Sequence, residues 1–345
     1  MAKSFSALLR KAFFLIIAPA FVVFPSNQDS SVTEILPAKY YPRWLKSNSY
    51  HTDQTSGITF LREKEDSTGE FLLVDDIGKI HRLFIRADTV FSFSEIDFSD
   101  EVLSFLANFP KLDFEEILYD KFTSEVYLTI EGNGENHSLY HGVFKIKFKD
   151  DNVFQDSVVA FEKLNFTPKK IFFNNLESNT GYEGLAVDEN FFYLRLEAIL
   201  TQEGSFSGHS LIRIADKNSL NIIKEITTEV LEISTICGLY SDENYSLWGI
   251  DRNQRKFFKI KFDEYFNIVE INNFRIKTVI PQFNNFEYAG SLESITMSNN
   301  GFLFLVDDPW HTVFIPPSEI LNQLDVEAIR NFEEYTPIIY KFVIE

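Results

Sequence analysis

One cysteine, Cys237, is all that this chain of 345 residues carries, so it can close no internal disulfide and build no cysteine-based metal site. Set in the run Ile236-Cys237-Gly238, it reads as a core residue. Basic residues are scarce as well: 32 Lys and Arg face 51 Asp and Glu, for a formal net charge of −19. That sign repels phosphate backbones and anionic lipid heads, which excludes nucleic acid and polybasic membrane docking. The six histidines, His51, His81, His137, His141, His209 and His311, form no H-E-x-x-H, and His137 and His141 read as part of a hairpin connection rather than a zinc pair. There is no Arg-His-Gly phosphatase pattern and no phosphate-binding glycine loop. Gly204-Ser205-Phe206-Ser207-Gly208 lacks serine at the centre of a G-x-S-x-G elbow. Glycine numbers only 14 against 37 phenylalanines, which excludes collagen-like and low-complexity classes. What remains is 45% hydrophobic and strongly acidic: a chain that buries a core, surrounds it with carboxylates and suits cationic partners.

The first 26 residues contain no acid. They carry Lys3, Arg10 and Lys11 ahead of an apolar run from Ala12 to Phe24 that is broken by Pro19. A charged n-region followed by an h-region reads as a secretory signal peptide over residues 1–26, or a short N-terminal anchor, because the run is shorter than the ~20 residues needed to span a bilayer. Export without disulfides points to a periplasmic, cell-envelope or secreted bacterial protein, with residues 27–345 as a single domain and no integral span in the mature chain. Removing the leader takes away only positive charge, so the acidity belongs to the folded part.

That part repeats itself. A short apolar strand, a turn, an apolar strand ending in an acid, a second turn and a strand alternating apolar with basic residues recur five times. Ser56-Gly57-Ile58 pairs with Phe71-Leu72-Leu73-Val74-Asp75-Asp76, and Glu116-Ile117-Leu118 with Val126 to Glu131. Glu183-Gly184-Leu185 pairs with Phe192 to Glu197, Cys237-Gly238-Leu239 with Leu247 to Asp251, and Leu292-Glu293-Ser294 with Phe302 to Asp308. Third strands such as Val143-Phe144-Lys145-Ile146-Lys147-Phe148 alternate with period two, the mark of half-buried positions. Stretches at 153–164, 222–226 and 268–274 supply fourth strands. Anchors at Gly57, Glu116, Gly184, Gly238 and Glu293 are 59, 68, 54 and 55 residues apart, near the ~40–50 of propeller blades with added loop length. The fold expected is an all-β propeller of five blades, or six if the N-terminal region hides a degenerate one. The last repeat lacks a fourth strand, and the segment around 35–50 is expected to fill it and close the ring. Helical insertions are expected at 101–109 and near 318–333, the latter capped by Ser318.

Every second strand ends in a carboxylate: Asp75-Asp76, Glu131, Glu197, Asp251 and Asp307-Asp308. Glu116, Glu183 and Glu293 open first strands. Rotation about the propeller axis turns such recurrences into rings, and crowded carboxylates raise one another's pKa values unless a cation or hydrogen-bond donors compensate. Oxygen-only ligands select hard cations, Ca²⁺ above all. Asp75, Glu131 and Asp251 equally suit turn caps that accept backbone N–H bonds.

Tyr182-Glu183-Gly184-Leu185-Ala186-Val187 followed by Leu194-Arg195-Leu196-Glu197 resembles the "EGLA … E" repeat of the esterase-like phytase propellers, and Leu73-Val74-Asp75-Asp76 and Leu305-Val306-Asp307-Asp308 sit where that family has its aspartate pairs. Ser56-Gly57-Ile58 resembles the opening strand of the related SdiA-regulated propellers. Glu116-Ile117 and Glu293-Ser294 lack the family's glycine after glutamate. The likeness spans about residues 56–343 and implies an exported, Ca²⁺-associated propeller with a phosphoester-hydrolase label. Two functions follow: a calcium-binding, phytase-like hydrolase acting on a phosphoester, or a non-catalytic scaffold whose acidic mouth captures a cationic ligand or protein. Either is expected to act as a monomer.

Overall fold

The computed structural model describes residues 33–345 except Ser49, Leu200, 202–206, Ser234, Ala289, 310–314 and Glu345. The leader expected at 1–26, the centre of the 204–208 loop and His311 therefore lie outside the described residues. The chain winds into five antiparallel blades, each running from an inner strand outward. The inner strands are Thr55–Glu63, Asp113–Asp120, Tyr182–Val187, Ile236–Tyr240 and Leu292–Met297, and each packs beside the next, the fifth beside the first. The ring is closed at five, so the alternative of a sixth blade falls away.

The same residues that signal the repeats dictate this packing. Second strands are near-continuous apolar runs because both faces are covered; Phe71 to Val74 and Leu303 to Val306 are fully buried apart from marginal exposure. In the third strands Phe144, Ile146 and Phe148 point inward while Lys145 and Lys147 stay half-buried. Five apolar clusters result, one between each pair of neighbouring blades. Leu73, Val306 and Ile339 join blades five and one; Leu72, Phe114 and Leu128 join one and two. Tyr127, Phe192 and Leu194 join two and three, Tyr193, Leu247 and Phe258 join three and four, and Trp248, Phe257 and Leu305 join four and five. The abundant phenylalanine thus fills space between blades, frequently edge to face, as in Phe71 against Phe304 at 5.0 Å.

Closure is made by the N-terminal segment, where Arg43–Trp44 pairs antiparallel with Ile338–Ile339 at the outside of blade five. Just before it, Thr33–Ile35 adds a parallel strand to the outer edge of blade four. The expected insertion near 318–333 is two helices: Ser318–Leu321, entered from Pro317 without a side-chain cap, and Val326–Glu333, capped by Asp325 through a 2.8 Å bond from the Ala328 N–H. Ser318 is therefore a first-turn residue rather than a cap. Ala328 and Phe332 seal blade five, and Phe332 meets Trp44 edge-on at 4.9 Å. A further helix, Asp100–Leu106, capped by Ser99, joins blades one and two where helix was expected. His137–Tyr140 forms one helical turn inside a hairpin connection, in line with the reading of His137 and His141.

Candidate cation site at one mouth of the propeller

In every blade the pairing of inner and second strands slips near the start of the inner strand: between Thr55 and Gly57, Phe114 and Ile117, Tyr182 and Gly184, Ile236 and Leu239, and Leu292 and Ser294. A bulge breaks the alternation of a strand and re-aims one side chain. Aligned on the slips, the bulged residues are Ser56, Glu115, Glu183, Cys237 and Glu293, and the residues after them are Gly57, Glu116, Gly184, Gly238 and Ser294. In the second strands the matching ladder residues are Asp75, Ile130, Leu196, Asp251 and Asp307, followed by Asp76, Glu131, Glu197, Arg252 and Asp308. Antiparallel pairing puts the start of an inner strand and the end of a second strand at the same end of the ring, so the bulge column and the post-strand column share one mouth.

This register corrects the expected acid columns. Glu116 is not the partner of Glu183 and Glu293; Glu115 is. Glu116 stands in the glycine column, where inner strands come so close that a Cβ on Gly57 would lie 2.8 Å from the Ile117 nitrogen, and one on Gly238 2.8 Å from Ser294 Cα. Its carboxyl is buried, accepts bonds from the Ile117 N–H at 3.0 Å and the Ser294 hydroxyl at 2.7 Å, and is pushed well above the usual carboxylate range by that burial. Asp75 likewise turns away from the mouth. Its Oδ1 accepts the Lys79 N–H at 2.8 Å and its Oδ2 lies 2.8 Å from His81 Nε2, whose Nδ1 meets the Tyr50 hydroxyl at 2.8 Å. Asp251 Oδ1 accepts the Gln254 N–H at 3.1 Å, so both serve as turn caps. Asp307 is buried beneath the mouth against the Tyr288 hydroxyl at 3.3 Å; burial, with repulsion from Glu293, pushes it up to about 8. Cys237 occupies the bulge position of blade four, buried, its thiol pushed up to about 12 by that burial.

Around the mouth the acids differ by arc. In blades three to five, Arg195, completely buried, pairs with Glu183 and donates to the Glu197 carbonyl at 2.6 Å. Arg252 donates to Glu293 at 2.7 Å, and Ser291 bonds the same carboxylate. In blades one and two, Asp76, Asp113 and Glu115 each bring a carboxylate oxygen within 4.8 Å of the other two. Lys111 Nζ lies 2.5 Å from Asp113 Oδ1, and Asn133 donates to Oδ2 at 3.0 Å. Burial pushes Asp76 up to about 8, with Asp113 and Glu293 adding repulsion. Glu115 stands well above its usual range through burial, Glu131 and Asp76; Glu131 does so through burial, Glu197 and Asp113. Glu197 is raised by burial and Glu183. Asp308 closes the circle: it is buried, Oδ1 has no hydrogen-bond partner, and burial with Glu293 and Asp76 pushes it up.

Asp113, Glu115 and Lys111 were not among the residues expected from sequence. Their signal is alternation: Lys111, Asp113 and Glu115 recur every second residue as the chain enters the strand, and period two puts Asp113 and Glu115 on one face. A groove of about 860 Å³, lined by Tyr41, Arg43, Trp44, Asn284 and Arg330 among others, takes none of its lining from the mouth carboxylates.

No family model matches this chain, and no curated protein sequence matches it either. Solved structures similar to it include the PQQ-bound aldose sugar dehydrogenase of Streptomyces coelicolor, 10% identical over 90% of this chain and 99% of that one, with a TM-score of 0.44. A luciferin-regenerating enzyme is 10% identical over 88% and 96%, with a TM-score of 0.42. Regucalcin of Agrobacterium tumefaciens, a calcium-binding protein, is 9% identical over 91% and 96%, with a TM-score of 0.41. The chain's own strand order, closed ring and inter-blade cores make it a five-bladed β-propeller.

Proposed function

We propose that this propeller is an exported, monomeric cation-binding protein and that the cation, Ca²⁺ in the first instance, is held by Asp76, Asp113 and Glu115, with Glu131 and Asp308 alongside. The observation that carries the reading is the convergence of three carboxylate oxygens within 4.8 Å, at Asp76, Asp113 and Glu115. The buried, unpartnered oxygen of Asp308 in the same mouth adds to it. Donors of this kind are all oxygen, the set that hard divalent cations take. The charged and apolar leader supports export. Phosphoester hydrolysis is the activity that the phytase-like resemblance suggests. In this mouth the bound cation would supply the charge that a phosphate needs, because Arg195 and Arg252 are committed to glutamates.

A second reading, a scaffold that captures a basic ligand, is favoured by one fact: the mouth already accommodates two guanidinium groups against its glutamates. Melting curves of the mature protein with Ca²⁺ and with a chelator separate the two. The cation reading expects stabilisation of about 2.7 kcal/mol at a hundredfold excess of ion over Kd. No shift, together with stabilisation by free arginine or a polyamine, would transfer the function to the scaffold reading. A phosphoester panel in saturating Ca²⁺ then decides on catalysis.

A further inference from the structure

We infer that Lys111 is a specificity-determining residue of the cation site: a tethered monovalent cation that sits on Asp113 and restricts the carboxylate cluster to ions of charge two or more. The inference rests on the cation-binding reading above.

Lys111 lies between the helix Asp100–Leu106 and the strand Asp113–Asp120. Its Nζ is 2.5 Å from Asp113 Oδ1, while Asp113 is buried and the lysine side chain is about half open to solvent (47% against 1%). The ammonium thus touches one of the three converging carboxylates from the outside. It also acts on the rest of this arc: Asp76, Glu115 and Glu131 meet further carboxylates, and Lys111 is a positive group that acts on Asp76 and Glu131. The ammonium of Lys79, which lines the same cleft as Lys111, is engaged by Glu95 at 3.0 Å.

The lysine has somewhere to go. It forms part of the wall of a cleft of about 590 Å³ beside Gly78, Phe98, Leu103, Phe109 and Leu112, so its head can leave Asp113 for water while the aliphatic stem stays on apolar wall. Displacement therefore requires no burial of the ammonium.

Charge arithmetic then sets selectivity. A sodium or potassium ion that displaces Lys111 exchanges one positive charge for another and gives up the advantage of a tethered partner, whose effective concentration is high. A divalent ion that displaces it adds a net positive charge to a cluster whose members repel, and it engages several oxygens at once. Lys111 thus weakens all cations somewhat and monovalent ones most.

The test is calorimetric titration of Ca²⁺ into the mature protein and into Lys111→Met and Lys111→Arg, at mildly alkaline pH, in sodium chloride and in tetramethylammonium chloride of equal ionic strength. The bulky ammonium salt supplies screening without a competing ion. Lys111→Met is expected to bind Ca²⁺ about fivefold tighter, the scale of a partly exposed ion pair, and to lose that gain in sodium but not in tetramethylammonium. Lys111→Arg keeps the charge and is expected to match the parent in both salts. Wild-type affinity and salt response in Lys111→Met, or the same change in Lys111→Arg, would overturn the role of the lysine while leaving the cation site standing. Absence of Ca²⁺ binding in parent and variants alike would overturn the cation reading itself, and this inference with it.

Discussion

The two arcs of the mouth are built from the same columns of the same repeat and reach opposite electrostatic states. In blades three to five the bulge residues Glu183 and Glu293 are answered by Arg195 and Arg252, from a ladder position and a post-strand position of neighbouring second strands. In blades one and two the same two positions of the second strands carry Val74 or Thr129 and then Asp76 or Glu131, so Glu115 meets further acid instead. One arc is closed by the protein's own cations. The other has Lys111 on Asp113 and several further carboxylates, which cannot all stay ionised without more compensation and so, on the proposed reading, take up protons or a cation from solution. Repeat symmetry supplies the scaffold, and a few substitutions within it decide which acids meet an arginine.

The comparison is broken most severely by removing an internal counter-ion. Arg195→Met strands Glu183 without its guanidinium and is expected to cost about 3 kcal/mol, the scale of breaking a buried pair, as read from urea unfolding in chelator. Next comes Asp76→Asn. It is expected to abolish the Ca²⁺-dependent rise in melting temperature, a loss of about 2–3 kcal/mol of ligand stabilisation at a hundredfold excess of ion, and to leave the metal-free protein at least as stable as the parent.

The third prediction concerns pH. Asp76 and Asp307 are raised from 3.8 to about 8, and Glu115, Glu131, Glu197 and Asp308 are raised as well. The folded state therefore binds more protons than the unfolded one between about pH 4 and pH 8, so stability in chelator falls as pH rises through that window. Saturating Ca²⁺ is expected to flatten this fall because the ion replaces the protons. Melting temperatures across the window with and without Ca²⁺ check it, and a metal-free protein that gains stability toward pH 8 would contradict it. The smallest effect belongs to Asp75→Asn, one residue from Asp76: about 1 kcal/mol from weakened bonds to the Lys79 N–H and His81, with the Ca²⁺ response intact.

That last pair marks where the sequence is easy to read and where it is not. The blades, their order and the closing strand are legible because alternation in Val143 to Phe148 and the apolar runs ending in Asp75 or Asp307 recur at blade spacing. The side-chain directions at the mouth are not, because a bulge adds one residue without leaving a compositional mark. Glu115-Glu116, Asp75-Asp76 and Asp307-Asp308 are tandem acids, so a shift of one residue still aligns acid with acid. Glu183 and Glu293 are each followed by a small residue, Gly184 and Ser294, and that column, forced by the close approach of inner strands, assigns Glu115 to the mouth and Glu116 to the interior. The exclusion of nucleic acid and the choice of oxygen ligands rest on composition alone. The arginines that divide the mouth are visible in the sequence as Arg195 and Arg252, but only the fold shows which glutamates they hold.

The most direct measurement of the central claim is calorimetric titration of Ca²⁺ into Glu115→Gln and Glu183→Gln, residues that occupy the same bulge position in adjacent blades. The account predicts that Glu115→Gln loses saturable binding while Glu183→Gln, drawn from the arginine-closed arc, retains it. Retention in Glu115→Gln with loss in Glu183→Gln would contradict it.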